Sequence, residues 1–251
     1  MALLRSVTPY VPGTYAKRRP EAGEMVSRFV HEWESRRRKL AQQKGASLQI
    51  PPCICFSRKI GVGALEIADL LGRKLRLHVA DREILERMTG ETGLDKETVQ
   101  FFDEIYPGKT VELSAMIFGE KSFVMGDYMR SLVGAVLALA ATESTIFVGR
   151  GTHLILPRDR VLAVRLICSD EFRIRRLAAL LKVSEAEASA TLAKIDREQR
   201  AFFKKAFGKK DASPYEFDMV INCDHINSPS LAADLVSRAF RKKFAADLTH
   251  G

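Results

Sequence analysis

The sequence predicts an α/β fold built on a parallel sheet, and three observations lead to this prediction. From residue 53 onward, short apolar runs alternate with longer amphipathic ones, which is typical of parallel strands joined by crossover helices. The first apolar run ends in the turn Gly61-Val-Gly63, directly before a helical pattern. Polar and glycine residues follow the later apolar runs as well, and ligands bind at such strand ends in open sheets.

Five strands and their connecting helices are expected in chain order. The strands are 53–57, 77–80, 145–148, 161–168 and 218–222. The helices are 64–74, 82–89, 95–102, 122–141, 170–181, 184–207 and 230–244. Asp170 is positioned to cap the helix that it begins, and Ser184-Glu-Ala-Glu187 has the pattern of a capping box.

Residues 1–50 are predicted to extend the α/β domain, which covers 51–251. Residues 1–20 hold three prolines and a basic patch, so we expect an irregular arm. Residues 21–44 carry one apolar stripe at helical spacing, and Pro51-Pro52 then indicates a break. We expect this extension to pack either on the core or on a second subunit, which would form a homo-oligomer.

The composition is that of an ordinary globular protein, with 46% hydrophobic and 28% charged residues. The net charge of +9 is compatible with nucleic acid, an anionic membrane surface or a phosphate-rich small ligand. No basic run is interleaved with aromatic residues, which argues against nucleic acid. The longest apolar run, 132–141, is shorter than the about 20 residues of a membrane helix, which argues against a membrane protein.

The four cysteines lie in or beside apolar runs, and their spacing matches no zinc or redox signature. We therefore interpret them as reduced, structural thiols. No signal peptide is visible, so a cytoplasmic protein is expected. No histidine has ligand spacing with a second ligand on one helix face, so no metal held by the protein is predicted.

The turn after the first strand is the first candidate site. Main-chain N–H groups at a helix N-terminus and the helix dipole both attract phosphate, although a plain strand-to-helix turn has the same glycine spacing. A standard phosphate-binding loop ends in Gly-Lys-Ser/Thr. Here the matching residues are Gly63-Ala64-Leu65, which lack both the lysine and the hydroxyl group.

Further candidates lie at the ends of the second and third strands. Arg150 stands between Gly149 and Gly151, where a long cation suits anion capture; a structural ion pair is the alternative. Asp81 either caps the next helix or contacts a ligand, and one carboxylate can do both. Arg87 is either a solvated helix residue or a phosphate ligand.

Two helices after the fourth strand carry the remaining candidates. Arg173 and Arg176 share one helix face, for which a charged exterior is the alternative interpretation. Asp196 and Arg200 lie in a run that is also compatible with a solvent-exposed helix. His153 is close to the turn at Arg150, and we interpret it as a packed or capping residue.

Four segments resemble the cytidylate kinase-like family of P-loop proteins, and the match covers about residues 53–240 in the right order. They are Ile54-Cys-Phe-Ser-Arg-Lys-Ile-Gly-Val-Gly63, Val79-Ala-Asp-Arg-Glu-Ile-Leu85, Phe147-Val-Gly-Arg-Gly-Thr-His-Leu-Ile-Leu156 and Tyr215-Glu-Phe-Asp-Met-Val-Ile-Asn222. The resemblance implies a nucleoside-monophosphate-kinase fold with a five-stranded parallel core, a helical monophosphate-binding insertion at about 82–143 and a lid at about 182–213. It also implies transfer of the γ-phosphoryl group of ATP to CMP or dCMP, with Mg²⁺ held mainly by the nucleotide phosphates.

The resemblance also implies roles for particular residues. Nucleotide-binding roles fall on Ser57, Arg58, Gly61, Val62, Gly63, Ala64, Asp81, Arg87, Gly149, Gly151, Asp196 and Arg200. Catalytic roles fall on Arg150, Arg173 and Arg176. Lys59 is a further catalytic candidate, on the hypothesis that it helps to compensate for the missing loop lysine.

The leading hypothesis is therefore an ATP-dependent kinase that acts on cytidylate. A nucleotide-binding regulatory protein that kept the fold and lost turnover is the alternative, and the incomplete phosphate-binding loop favours it. A phosphotransferase with another phosphorylated acceptor is a third possibility.

Overall fold

The computed structural model describes residues 22–42, 50–90, 123–209 and 212–248. Within these ranges five parallel strands form one sheet in the order β2-β3-β1-β4-β5, which confirms the predicted fold class. The strands are β1 Cys53–Arg58, β2 His78–Ala80, β3 Thr145–Val148, β4 Val161–Ile167 and β5 Met219–Asn222.

Nine helices of the described residues surround the sheet. They are α1 Ala22–Gln42, α2 Ala64–Leu75, α3 Arg82–Thr89, α4 Phe123–Thr142, α5 Thr152–Ile155, α6 Asp170–Leu181, α7 Glu185–Phe207, α8 Pro229–Lys243 and α9 Ala245–Leu248. Short 3₁₀ turns lie at Arg158–Arg160 and Pro214–Glu216. The predicted arm at 1–20 and the predicted helix at 95–102 lie outside the described residues.

The helix caps follow from local sequence, with one correction. Ser184 and Glu187 form the predicted capping box at the start of α7. The prediction that Asp170 caps α6 is wrong, because the Ser169 hydroxyl accepts the hydrogen bond from the N–H of Phe172 at 3.1 Å. Asp170 is instead the first helical residue, and its carboxylate contacts Arg173.

The sheet is covered on both faces, and this explains why its strands are nearly continuous apolar runs. Successive side chains of β1 point to opposite faces. Ile54 and Phe56 pack in a core with α2 and α8, whereas Cys53 and Cys55 pack in a second core with α1, α3 and α4. Phe29 of α1 is buried in this second core, so the N-terminal helix packs on the α/β domain.

The strand order brings three connections to one edge of the sheet. β1 lies between β3 and β4, so the segment after β1 adjoins the turn after β3. The N–H of Gly149 donates to the carbonyl of Phe56 at 2.8 Å, and Ser57 is the partner of Arg165 on β4. No helix in the described ranges is long and apolar enough to span a membrane.

Candidate functional site

The turn between β1 and α2 has a backbone that favours glycine at two positions. Gly61 and Gly63 have φ values of 92° and 87°, in the left-handed region. Gly63 is the N-cap of α2 and provides no side chain to bind the first N–H groups of the helix. A Cβ atom at Gly61 would approach the Arg173 Cβ to 3.0 Å. The turn is therefore tight, and Gly61 to Ala64 at the helix N-terminus are buried, with Arg173 and Arg176 packed against the two glycines.

Arg173 lies under this turn, and its side chain is only 3% exposed. Its guanidinium donates to both carboxylate oxygens of Asp196 at 3.0 and 2.8 Å and to the Ile60 carbonyl at 3.2 Å. Nε and Nη2 also donate to Asp170, so all five N–H groups are used within the protein. Burial alone would lower the pKa of Arg173, but the hydrogen bonds with Asp196 and Asp170 raise it. Arg173 thus joins the turn, α6 and α7.

Arg176 lies on the outer side of the same turn. Its Nη2 donates to Glu66 in the first turn of α2 at 2.7 Å. A Cβ atom at Gly63 would come within 3.2 Å of the Arg176 guanidinium, so the arginine covers the backbone there. Both Arg173 and Arg176 therefore lie beside the turn, and both are already paired with carboxylates.

Arg150 extends from the turn after β3 towards α3 and α7. Its own φ is 56°, a conformation that non-glycine residues rarely adopt. Its Nη2 forms an ion pair with Glu86, and the same carboxylate accepts from Arg82 at 2.6 Å. The guanidinium also lies 4.9 Å from the centre of the Phe202 ring, at cation–π distance. Arg150 therefore forms a structural ion pair with Glu86, which is the alternative that the sequence left open.

The two glycines beside Arg150 have different structural reasons: close packing at Gly151, and at Gly149 a φ of 90° in the left-handed region. A Cβ atom at Gly151 would come within 2.5 Å of the Phe207 ring, and φ at Gly151 is 71°. A Cβ atom at Gly149 would approach the Arg58 guanidinium to 3.5 Å. The turn therefore packs against Phe207 of α7 on one side and against Arg58 on the other.

Asp81 and Arg87 have other surroundings. Asp81 is buried, and its Oδ1 accepts from the N–H groups of Glu83 and Ile84 at 3.0 and 3.3 Å, so it caps α3. Arg87 is 53% exposed and pairs with Glu83 at 3.2 Å. Neither residue lines either of the two cavities that open at the carboxyl ends of β1, β3 and β4.

Two neighbouring cavities open at the carboxyl ends of β1, β3 and β4. Both are bordered by Arg58, Gln199 and Phe203. The charged residues of the first cavity are Arg58, Arg82, Arg150 and Glu198. The charged residues of the second cavity are Arg58, Lys59, Arg165, Arg200 and Asp196. Positive charge is in excess in both, which favours anionic ligands.

Sequence reasoning missed Arg82, Arg165 and the aromatic pair Phe202 and Phe203. Arg165 interrupts an apolar strand, and its Nη1 donates to the Ser57 hydroxyl at 2.7 Å. A charged residue near the end of a buried strand was the available signal. The aromatic residues lie on α7 among charged residues, and the sequence gives no sign of which cavity they border.

His153 is packed, as expected, and lies outside both cavities. Its ring lies 4.8 Å from that of Phe217, and its Nε2 is 3.5 Å from a Glu216 carboxylate oxygen. Burial lowers the pKa of His153 to about 4 and outweighs Glu216, which raises it.

The carboxylate, imidazole and thiol groups of the described residues do not form a Mg²⁺ site. The described residues contain no cluster of three or more histidine, cysteine, aspartate or glutamate side chains that could hold a metal ion. Both oxygens of Asp196 are engaged by Arg173. Any Mg²⁺ would need the phosphate oxygens of a bound nucleotide as its main ligands.

The parallel strand order and the glycine turn between β1 and α2 define an α/β protein of the open parallel-sheet class. The model of the cytidylate kinase-like family matches residues 53–225, and the chain belongs to that family.

Similarity to one solved structure supports the fold, and similarity to a second is weaker. An uncharacterized protein from Eubacterium ventriosum ATCC 27560 has a TM-score of 0.56 at 15% identity, and the match covers 76% of this chain and 98% of that one. Shikimate kinase from Bacteroides thetaiotaomicron has a TM-score of 0.37 at 14% identity, with 76% of this chain and 96% of that chain covered.

One curated protein is similar over a shorter segment. The virulence genes transcriptional activator of Salmonella typhimurium is 38% identical over 82 residues, or 31% of this chain. The chain spans 28% of the length of that relative.

Proposed function

We propose that this protein is an ATP-dependent nucleoside monophosphate kinase that transfers the γ-phosphoryl group of ATP to CMP or dCMP. The observation that supports it is the pair of cavities that share Arg58 at the carboxyl ends of the central strands. Transfer between two phosphates requires both to be held in line, with positive charge around the migrating group. Adjacent cationic cavities with one arginine between them meet that requirement.

In this proposal Arg150 and Arg82 bind the phosphate of the monophosphate acceptor. The main-chain N–H groups from Gly61 to Ala64 bind the donor phosphates after the Arg176 guanidinium, which covers Gly63, moves aside, and Arg58 contacts the group in transfer. An oxygen of the acceptor phosphate forms a bond to the γ-phosphorus while the bond from that phosphorus to the β–γ bridging oxygen breaks, which gives ADP and a diphosphate. The attacking oxygen is already anionic, so no side chain has to remove a proton.

Glu86 has a defined part in this proposal. It pairs with both Arg82 and Arg150, so the acceptor phosphate has to displace the carboxylate or share the two arginines with it. A bound nucleotide would carry Mg²⁺ on its phosphate oxygens, and the ion would supply additional positive charge there. The aromatic ring of Phe202 shields Arg150 from water on one side, which strengthens its interaction with an anion.

A regulatory nucleotide-binding protein of the same fold is the second candidate. One observation favours it: Arg150, Arg173 and Arg176 are each already paired with a carboxylate. The absence of a loop lysine points the same way. Such a protein would bind nucleotide without transferring the phosphoryl group.

ADP release in the presence of ATP, Mg²⁺ and CMP separates the two candidates. We expect ADP formation that depends on CMP, and a fall in kcat/KM for CMP of about a hundredfold in Arg150→Met. Arg175→Met removes a solvent-exposed positive charge from α6 and serves as the matched control. Calorimetric binding of ATP and CMP without ADP formation would support the regulatory protein instead. A panel of other phosphorylated acceptors in the same assay tests the choice of CMP.

A further inference from the structure

The residues that follow the glycine turn leave no space for the lysine of a standard phosphate-binding loop. Ala64 and Leu65 occupy the places of that lysine and its neighbouring hydroxyl residue, and both are buried in the core formed by α2, α8 and the sheet. A long cation at either position would have to leave this core to reach a phosphate. Positive charge for the donor phosphates must therefore come from another element.

Two of the candidate sources are already engaged. All five N–H groups of Arg173 donate hydrogen bonds, to Asp170, Asp196 and the Ile60 carbonyl. Arg176 is paired with Glu66 and packs on Gly63. If Arg173 were used for a ligand, two carboxylates and a buried carbonyl would lose their donor, which is costly.

Arg165 is placed where the missing charge is needed. It lies on β4 beside Ser57, the next-to-last residue of β1, and it borders the second cavity. Its guanidinium is half-buried, with Nη1 on the Ser57 hydroxyl and the ring of Phe217 at 5.9 Å. A strand residue held in this way is more rigid than one on a loop, and a rigid cation loses less entropy on binding.

The rest of the second cavity supports an anion of high charge. Arg58, Lys59, Arg165 and Arg200 border it, and its one acidic residue, Asp196, is neutralised by Arg173. Lys59 and Arg200 are solvent-exposed at its rim, one on the turn and one on α7. This excess of positive charge suits the terminal phosphates of a triphosphate.

We infer that Arg165, together with Arg58, Lys59 and Arg200, binds the terminal phosphates of the phosphoryl donor in the second cavity and takes the place of the absent loop lysine. This inference rests on the proposed function for the identity of the donor. The binding of a polyphosphate in this cavity can be measured whether or not turnover occurs.

The test is calorimetric titration of the full chain with inorganic tripolyphosphate. We expect Arg165→Met to weaken binding at least tenfold and to reduce the dependence of affinity on salt, with Arg165→Lys in between. Arg175→Met removes the same charge from the exposed side of α6 and should change the affinity less than twofold. An Arg165→Met protein that is folded by circular dichroism and binds tripolyphosphate like the wild type would overturn the inference.

Two further variants keep the test decisive if Arg165→Met does not fold. Lys59→Met and Arg200→Met alter exposed side chains, and each should weaken tripolyphosphate binding at least threefold. Unchanged affinity in both would also count against the inference. Saturating CMP should leave tripolyphosphate binding intact, and competition between them would assign the cavity to the acceptor and overturn the donor assignment.

Turnover gives an independent measurement. If the wild type releases ADP, Arg165→Met should lower kcat with little change in the KM for CMP. If the wild type binds tripolyphosphate through Arg165 and releases no ADP with CMP or any other acceptor, the kinase proposal fails and the anion site stands. Absence of tripolyphosphate binding by the wild type at millimolar concentration would remove the site itself.

Discussion

Replacing Arg173 with methionine should destabilise the protein strongly. The change keeps much of the aliphatic side chain and removes a guanidinium that is 3% exposed. Asp196, itself only 12% exposed, would lose both of its hydrogen bonds from Arg173, and the Ile60 carbonyl would lose one. Breaking a buried ion pair from one side costs about 3–5 kcal/mol because a charge stays buried without its partner. We expect a loss of that size in the free energy of unfolding at pH 7.

Urea unfolding followed by circular dichroism measures this loss. Arg175→Met, two residues away and exposed, should stay within about 0.5 kcal/mol of the wild type. The double variant Arg173→Met/Asp196→Leu should be more stable than Arg173→Met alone, because it removes the carboxylate left without a partner. A loss below about 1 kcal/mol in Arg173→Met with an unchanged m value would refute the role assigned to this ion pair.

Three further predictions concern stability. Gly151→Ala should lower the free energy of unfolding by at least about 2 kcal/mol, because a side chain strains the left-handed backbone and Cβ would clash with Phe207. Gly208 is also left-handed but has open space around it, so Gly208→Ala should cost only about 1 kcal/mol. Equal losses in thermal unfolding would contradict this reasoning. Because burial lowers the pKa of His153 from 6.5 to about 4, the unfolded chain binds a proton between these values that the native state does not, so stability should fall as pH drops through this window, by about 3 kcal/mol at pH 4. His153→Phe should show a shallower fall in the same urea titrations, and an equally steep one would exclude His153 as its source. Ser169→Ala should cost about 1–2 kcal/mol, since the hydroxyl caps α6 and also donates to Asp224; an unchanged unfolding midpoint would argue against the cap.

The sheet was predictable because each strand carries its own local signal. Cys53, Ile54 and their neighbours form a short apolar run ended by glycine, and that pattern holds for a strand buried on both faces wherever it lies in the chain. The capping box at Ser184 is equally local, because its two side chains lie three residues apart. The cap of α6 was mispredicted as Asp170 because serine and aspartate both cap helices well, and the serine that forms the cap, Ser169, directly precedes Asp170.

The candidate site was harder to predict because its side chains meet only after folding. The sequence places Arg173 and Arg176 on one helix face, but it does not reveal that Asp196, 23 residues after Arg173, reaches the Arg173 guanidinium. Glu86 and Arg150 are separated by 64 residues and meet because α3 lies next to the turn after β3. Arg165 was missed because its significance depends on its strand partner, Ser57. The predicted roles of these arginines in phosphate binding stay predictions, for which the structure supplies the distances.

The two attachments of α7 bear on how a substrate would enter. A kinase of this fold is expected to close a mobile lid over its nucleotides. Here the helix is tied near its middle by Asp196, and its C-terminal end rests on Gly151 through Phe207. Movement of α7 as one rigid body would require both contacts to break together. The cleft would then be largely preorganised, and ligand binding would cost little further loss of conformational entropy in the protein.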